Sequence, residues 1–238
     1  MLQRQLFNMY QRRKRRLSGW TPAELNPIAW YKGDGNALDA IGNHDGTWVG
    51  TEAYTDGPTG QAFDFDGVSV NQRITATPYT NSIDRTTGFT VAAWIRLRGP
   101  MVDYGELSFS TGDIPTFSLV SPGLNYNISG RFRDAAAVNR TTAAYTMPAN
   151  VWVHVALVLG PSIGTLWING EAYSSTPTHT SSYTLADSTF FLGGYRAIAS
   201  KPSNPVNIDD VLIFDRALTP LEISTLYNES INKNGEAW

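Results

Sequence analysis

"VWVHVALVLGPSIGTLWINGEAY" occupies residues 151 to 173. Side chains alternate along an extended chain, so Val151, Val153, Val155, Leu157 and Leu159 share one side and Trp152, His154, Ala156 and Val158 the other. Asn169-Gly170 reads as a tight turn, because both residue types accept left-handed backbone. The stretch predicts a β-hairpin with one wholly apolar side. "FTVAAWIRL" (89–97) repeats the pattern, with Phe89, Val91, Ala93, Ile95 and Leu97 opposed to Thr90, Ala92, Trp94 and Arg96.

Working outward, "QAFDFDG", "NQRITAT", "GELSFS", "FSLVS", "YNISGRF", "AAYTM", "STFFLGGY" and "VNIDDVLIFDRAL" are further candidate strands. Turns separate them at intervals of roughly ten residues, which predicts an all-β sandwich or barrel rather than βαβ units. The 238 residues, 42% of them hydrophobic, suffice for one large domain, and 21 glycines and 13 prolines suit many tight turns. In "LTPLEISTLYN", Thr219 at the cap, Pro220 at the first helical position and Glu222 form a capping box that opens a short helix.

No cysteine is present, so disulfides and thiolate zinc sites are excluded. No apolar run is long enough for a membrane-spanning helix, and the N-terminus lacks the apolar stretch of a secretory leader. Arg4, Arg12, Arg13, Lys14, Arg15 and Arg16 give residues 1–19 a formal charge of +6 with no acid, leaving 12 bases against 21 acids elsewhere. The expected organisation is a basic segment (1–19) that docks on a partner through Arg12, Arg13, Lys14, Arg15 and Arg16, a β domain (20–228) and a tail (229–238).

"AWYKGDGNALDAIGNHDGTWVG", "GQAFDFDG", "FTVAAWIRL", "WVHVALVLG…GTLWINGEAY" and "FFLGGY…NIDDVLIFDRALTPLEISTLYN", in that order, resemble the laminin-G-like, concanavalin-A-like jelly-roll family of bacterial and phage surface proteins. The resemblance implies two antiparallel sheets packed face to face and a recognition or adhesive role rather than catalysis. It also implies a structural calcium between opening loop and closing strand, at Asp34 and Asp39 with Asp209 or Asp210. The ligand types suit that ion. The other reading of "GNALDAIGNHDGTWVG" is a set of turns built by Gly42, Asn43 and Asp45-Gly46.

Two readings of a ligand surface remain open. Trp94, Trp152 and Trp167, with His154 and Arg96, lie opposite the most apolar residues of their strands and form either a sugar-stacking face or packing with internally bonded indoles. Loop positions Tyr104, Arg131, Arg133, Tyr195 and Arg196 are the alternative contacts. No nucleophile elbow, P-loop or zinc-protease motif occurs, and three histidines are too few for a transition-metal site. The carboxylate pair nearest to a glycosidase arrangement is Asp64 and Asp66 in "FDFDG". The expectation is therefore a non-catalytic, glycan-binding or adhesive module of a larger assembly such as a phage virion, cytoplasmic on synthesis and able to form homo-oligomers. A carbohydrate-active enzyme and a purely structural subunit are the alternatives.

Overall fold

The computed structural model describes residues 20–69, 71–79, 88–100, 107–111, 114–120, 126–134, 138–178, 188–193 and 204–231. A 3-10 turn at Pro22–Leu25 precedes the strands. In chain order they are β1 (Ala29–Tyr31), β2 (Gly46–Val49), β3 (Tyr54–Gly57), β4 (Gly60–Asp66), β5 (Arg73–Tyr79) and β6 (Phe89–Leu97). Next come β7 (Leu107–Thr111), β8 (Ile114–Val120), β9 (Asn127–Arg133), β10 (Asn139–Thr141) and β11 (Tyr145–Thr146). The last are β12 (Trp152–Leu159), β13 (Gly164–Ile168), β14 (Glu171–Ser175), β15 (Ser188–Leu192) and β16 (Pro205–Phe214), after which comes helix α1 (Pro220–Ile231).

Two antiparallel sheets form the sandwich. Sheet A runs β14-β13-β12-β6-β16-β4-β3, with β1 also paired to β16. Sheet B runs β10-β9-β8-β7-β15-β5-β2, with β11 also paired to β9. The jelly-roll sandwich expected from the sequence is thus the observed fold, and the hairpin turn is set by Asn169 and Gly170 at φ of 50° and 81°.

The core lies between the sheets, where Val91, Ala93, Ile95, Val153, Val155 and Leu157 of sheet A meet Ile74, Ile128, Phe132, Phe190 and Leu192 of sheet B. A Cβ on Gly130 of β9 would come within 2.4 Å of Leu157 Cδ1, which shows how closely the sheets approach there. This alternation fixes the parity of every strand. Ile128, Gly130 and Phe132 face inward, so Ser129, Arg131 and Arg133 face outward; Ile74 and Ala76 face inward, so Arg73 and Thr75 face outward.

Helix α1 opens with the expected capping box: the Thr219 amide donates to Glu222 Oε2 at 2.8 Å, and the Glu222 amide donates to Thr219 Oγ1 at 3.3 Å. It runs to Ile231, past the boundary expected at residue 228. The helix lays Ile223 and Leu226 on the outer face of sheet A, against Trp30, Ala92, Ala156, Leu212 and Phe214. No described helix is long and apolar enough to cross a membrane.

Candidate functional site

The tryptophan face is an interior. Trp94 of β6 and Trp152 of β12 are only 4% and 6% exposed, with Tyr227 of α1 packed against their cluster. The Trp94 ring lies 5.4 Å from the His154 ring and 5.8 Å from the Tyr227 ring, and its Nε1 donates to Ser230 Oγ at 3.0 Å. The Arg96 guanidinium stacks 4.7 Å over Trp152. Trp167, half-buried, packs at the edge of the helix interface, and its indole nitrogen is buried without a hydrogen bond. Packing is what the structure supports for these tryptophans, because α1 occupies the surface on which a sugar would stack, although an internally bonded indole is seen at Trp94 and not at Trp167.

His154 sits beneath this layer with Nδ1 unbonded, and burial pushes its pKa down to about 4, so the imidazole is neutral. Asp209, one strand over from Trp94 in the same register row, is also buried. Burial first, and then the charge of Asp210, push its carboxyl well above the usual range.

The four aspartates expected around calcium do not form one ligand set. The Asp39 carboxylate accepts amide hydrogens from Trp30, Ile41, Asn43 and His44 at 2.8 to 3.2 Å, which makes it the organiser of the opening loop. Asp34 Oδ1 accepts from the Gln61 amide at 2.9 Å. Asp209 and Asp210 share the Thr59 hydroxyl at 3.1 and 2.7 Å, and Asp210 also accepts from Trp30 Nε1 at 2.7 Å. Among the described residues, no three His, Asp or Glu side chains converge as metal ligands. Asp39 thus holds the turns of "GNALDAIGNHDGTWVG" together.

Asp64 and Asp66 are likewise occupied. Asp64 pairs with Arg98 at 2.6 Å and accepts from Asn207 at 2.8 Å, while Asp66 receives the Val68 and Ser69 amides at 2.7 Å each. One joins strands and the other shapes a turn.

The outer face of sheet B is a different surface. Thr141 of β10 pairs with Arg131 of β9, which pairs with Ser118 of β8, then Ser108 of β7, Phe191 of β15, Thr75 of β5 and Thr47 of β2. This single register line of hydroxyl residues, an arginine and an aromatic crosses the whole sheet. Arg131 and Arg133, expected in loops, belong to strand β9. Beside the line, Arg73 is half-buried, and burial lowers its pKa from the usual arginine value. Arg73 Nε and Thr75 Oγ1 are buried and make no hydrogen bond. Phe191 is only 7% exposed although it points away from the core. Both described helical segments, Pro22–Leu25 and α1, pack on sheet A instead. Tyr104, Tyr195, Arg196 and the docking residues Arg12, Arg13, Lys14, Arg15 and Arg16 lie outside the described residues.

The family model described as the concanavalin A-like lectin/glucanases superfamily, of laminin-G type, matches residues 66–224. The chain belongs to the concanavalin A-like lectin/glucanases superfamily. Within the superfamily fold it is similar to domain 4 of AbnA, a GH43 extracellular arabinanase from Geobacillus stearothermophilus solved in complex with arabinotriose. That TM-score is 0.67, with 22% identity over 84% of this chain and 98% of that one. It is also similar to the binding domain of Paraclostridial Mosquitocidal Protein 1, at TM-score 0.71 and 16% identity over 90% of this chain and 54% of that one. The botulinum neurotoxin serotype D binding domain gives TM-score 0.69 and 19% identity over 87% and 52%. The chain spans about half the length of these two toxin domains. No curated protein matches the chain in sequence. At such identities the likeness to solved structures is one of fold, so the chemistry of this superfamily member rests on its own residues.

Of the residues on the sheet B face, the sequence points to Arg131 and Arg133 but not to Arg73, Thr75 or Phe191. The available signal was polar alternation in "RIT" and "SGRFR".

Proposed function

We propose that this domain is a non-catalytic carbohydrate-recognition module whose ligand lies across the outer face of sheet B. The observation that carries the proposal is the register line from Thr141 to Thr47, which sets Thr141, Arg131, Thr75 and Thr47 in one row across the outer face of the sheet. Hydroxyls and a guanidinium supply the directional hydrogen bonds by which sugars are held. The arabinotriose bound to the AbnA domain, which shares the fold, supports a glycan as ligand. The engagement of Asp64 and Asp66 in structural bonds favours binding over hydrolysis.

The test is a glycan panel read against paired variants. An Arg131→Ala, Thr75→Val double variant is expected to lose glycan binding with its melting temperature within a few degrees of wild type. Thr165→Val, on β13 beside the β14 edge of sheet A, is expected to bind normally. No binding by the wild type, or undiminished binding by the double variant, overturns the proposal. Attachment to a larger assembly through residues 1–19 is proposed on their charge alone. Deleting them is expected to abolish attachment and leave glycan binding intact.

A further inference from the structure

Arg73 differs from the ion-paired arginines of the sandwich. Arg98 pairs with Asp64, Arg140 with Asp134 and Arg216 with Glu222, each at 2.6 to 2.8 Å. Arg73 has instead a long 3.5 Å contact from Nη1 to the Asn71 carbonyl, a buried Nε that makes no hydrogen bond, and no carboxylate of the described residues within ion-pair distance. A half-buried guanidinium with its Nε out of water and no opposing charge carries a partial desolvation penalty that an incoming anion would offset. The planar fork of arginine matches a carboxylate or a sulfate through two parallel hydrogen bonds.

The surroundings have the right chemistry. Thr75, two residues along β5 and on the same face, has a buried hydroxyl that also makes no hydrogen bond. Thr75 is the direct cross-strand partner of the buried Phe191, and Arg73 itself pairs with the neutral Val49 of β2. The other outward positions of β9 and β10 among the described residues are Asn127, Ser129, Arg131, Arg133, Asn139 and Thr141, with no acid among them. The described outward positions of these strands are thus positive on a chain whose net charge is −3.

We infer that the glycan bound on sheet B is anionic and that its carboxylate or sulfate is held by Arg73, with Thr75 as the neighbouring hydroxyl. The inference rests on the carbohydrate-recognition reading and adds the charge of the ligand to it.

The experiment measures binding to matched glycan pairs that differ only in charge: polygalacturonate and its methyl ester, a sialylated oligosaccharide and its desialylated form, a sulfated galactan and its desulfated form. Wild type is expected to bind the charged member of at least one pair tenfold or more tighter, and which pair responds distinguishes carboxylate from sulfate. In Arg73→Gln that preference is expected to shrink to about twofold, since a charge-assisted contact is worth roughly a factor of ten or more. Arg73→Lys, which keeps the charge but not the fork, is expected to recover part of it. If Arg73→Gln fails to fold, the wild-type and lysine measurements still decide. Equal binding to charged and neutral members overturns the charge assignment while leaving the recognition module standing. A charge preference that survives Arg73→Gln overturns the assignment to Arg73. Absence of binding to every glycan overturns both.

Discussion

The two sheets present outer faces of the same geometry put to opposite uses. On sheet A the outward residues of β6, β12 and β16 include Trp94, Trp152, His154, Asn207 and Asp209, which are buried, and Arg96, which is half-buried, with α1 packed over Trp94 and His154. On sheet B the outward residues of β5, β9 and β10 are arginines, serines, threonines and asparagines, mostly half-buried or exposed. Among the described residues, the face richer in aromatics is the one helix α1 covers, and the polar face that includes Arg73 and Thr75 is the candidate site. An aromatic row on a sheet indicates that something must cover it. Whether the cover is a ligand or the chain's own helix is decided by residues far downstream of the row itself.

Substitutions that separate stability from binding put this contrast under strain. The largest effect is expected for Trp94→Ala, which should lower unfolding stability by about 3–5 kcal/mol in denaturant titration, as for other buried aromatic truncations. Loss below about 1 kcal/mol would mean that the helix does not seal this face. Next is acid. The folded His154 pKa of about 4 lies below the unfolded value of 6.5, so its stabilising neutrality is complete above pH 6.5 and lost as pH falls toward 4, a swing of about 3 kcal/mol. The difference between wild type and His154→Gln across pH 7 to 4 isolates this effect from Asp209, whose raised carboxyl acts with the opposite sign. Parallel curves for the two proteins would show that His154 reaches water.

Smaller effects test single bonds. Ser230→Ala leaves the buried Trp94 indole N–H without an acceptor and should cost about 1–2 kcal/mol. Thr75→Val, on the other face, removes a hydroxyl that makes no hydrogen bond and should leave stability within about 0.5 kcal/mol. A larger loss there would give Thr75 a structural role and weaken the contrast between the faces.

The fold was legible because it depends on local alternation. The strand Phe89–Leu97, the Asn169-Gly170 turn and the Thr219–Glu222 cap each carry their signal within ten residues. The site was less so, because it depends on register. Arg131 and Thr75 share a line only because β8, β7 and β15 lie between β9 and β5 in a definite order. Nothing near either residue announces that order. The role of Asp39 was hidden for a related reason: an aspartate reads the same in sequence whether it faces an ion or, as here, four backbone amides. The tryptophans were read onto the correct side of their strands, but the helix that buries them begins only at Pro220.

Strand β16 is the hub of sheet A, paired with β1, β4 and β6, and its register joins Ala29 to Ile213. During synthesis on a ribosome, three earlier strands wait for a central neighbour that begins only at Pro205. Contacts this distant in sequence make folding slow, and a half-built aromatic sheet is prone to stick to other chains. Nascent chains that end before Phe214, the last residue of β16, should therefore be the species that most depend on chaperones.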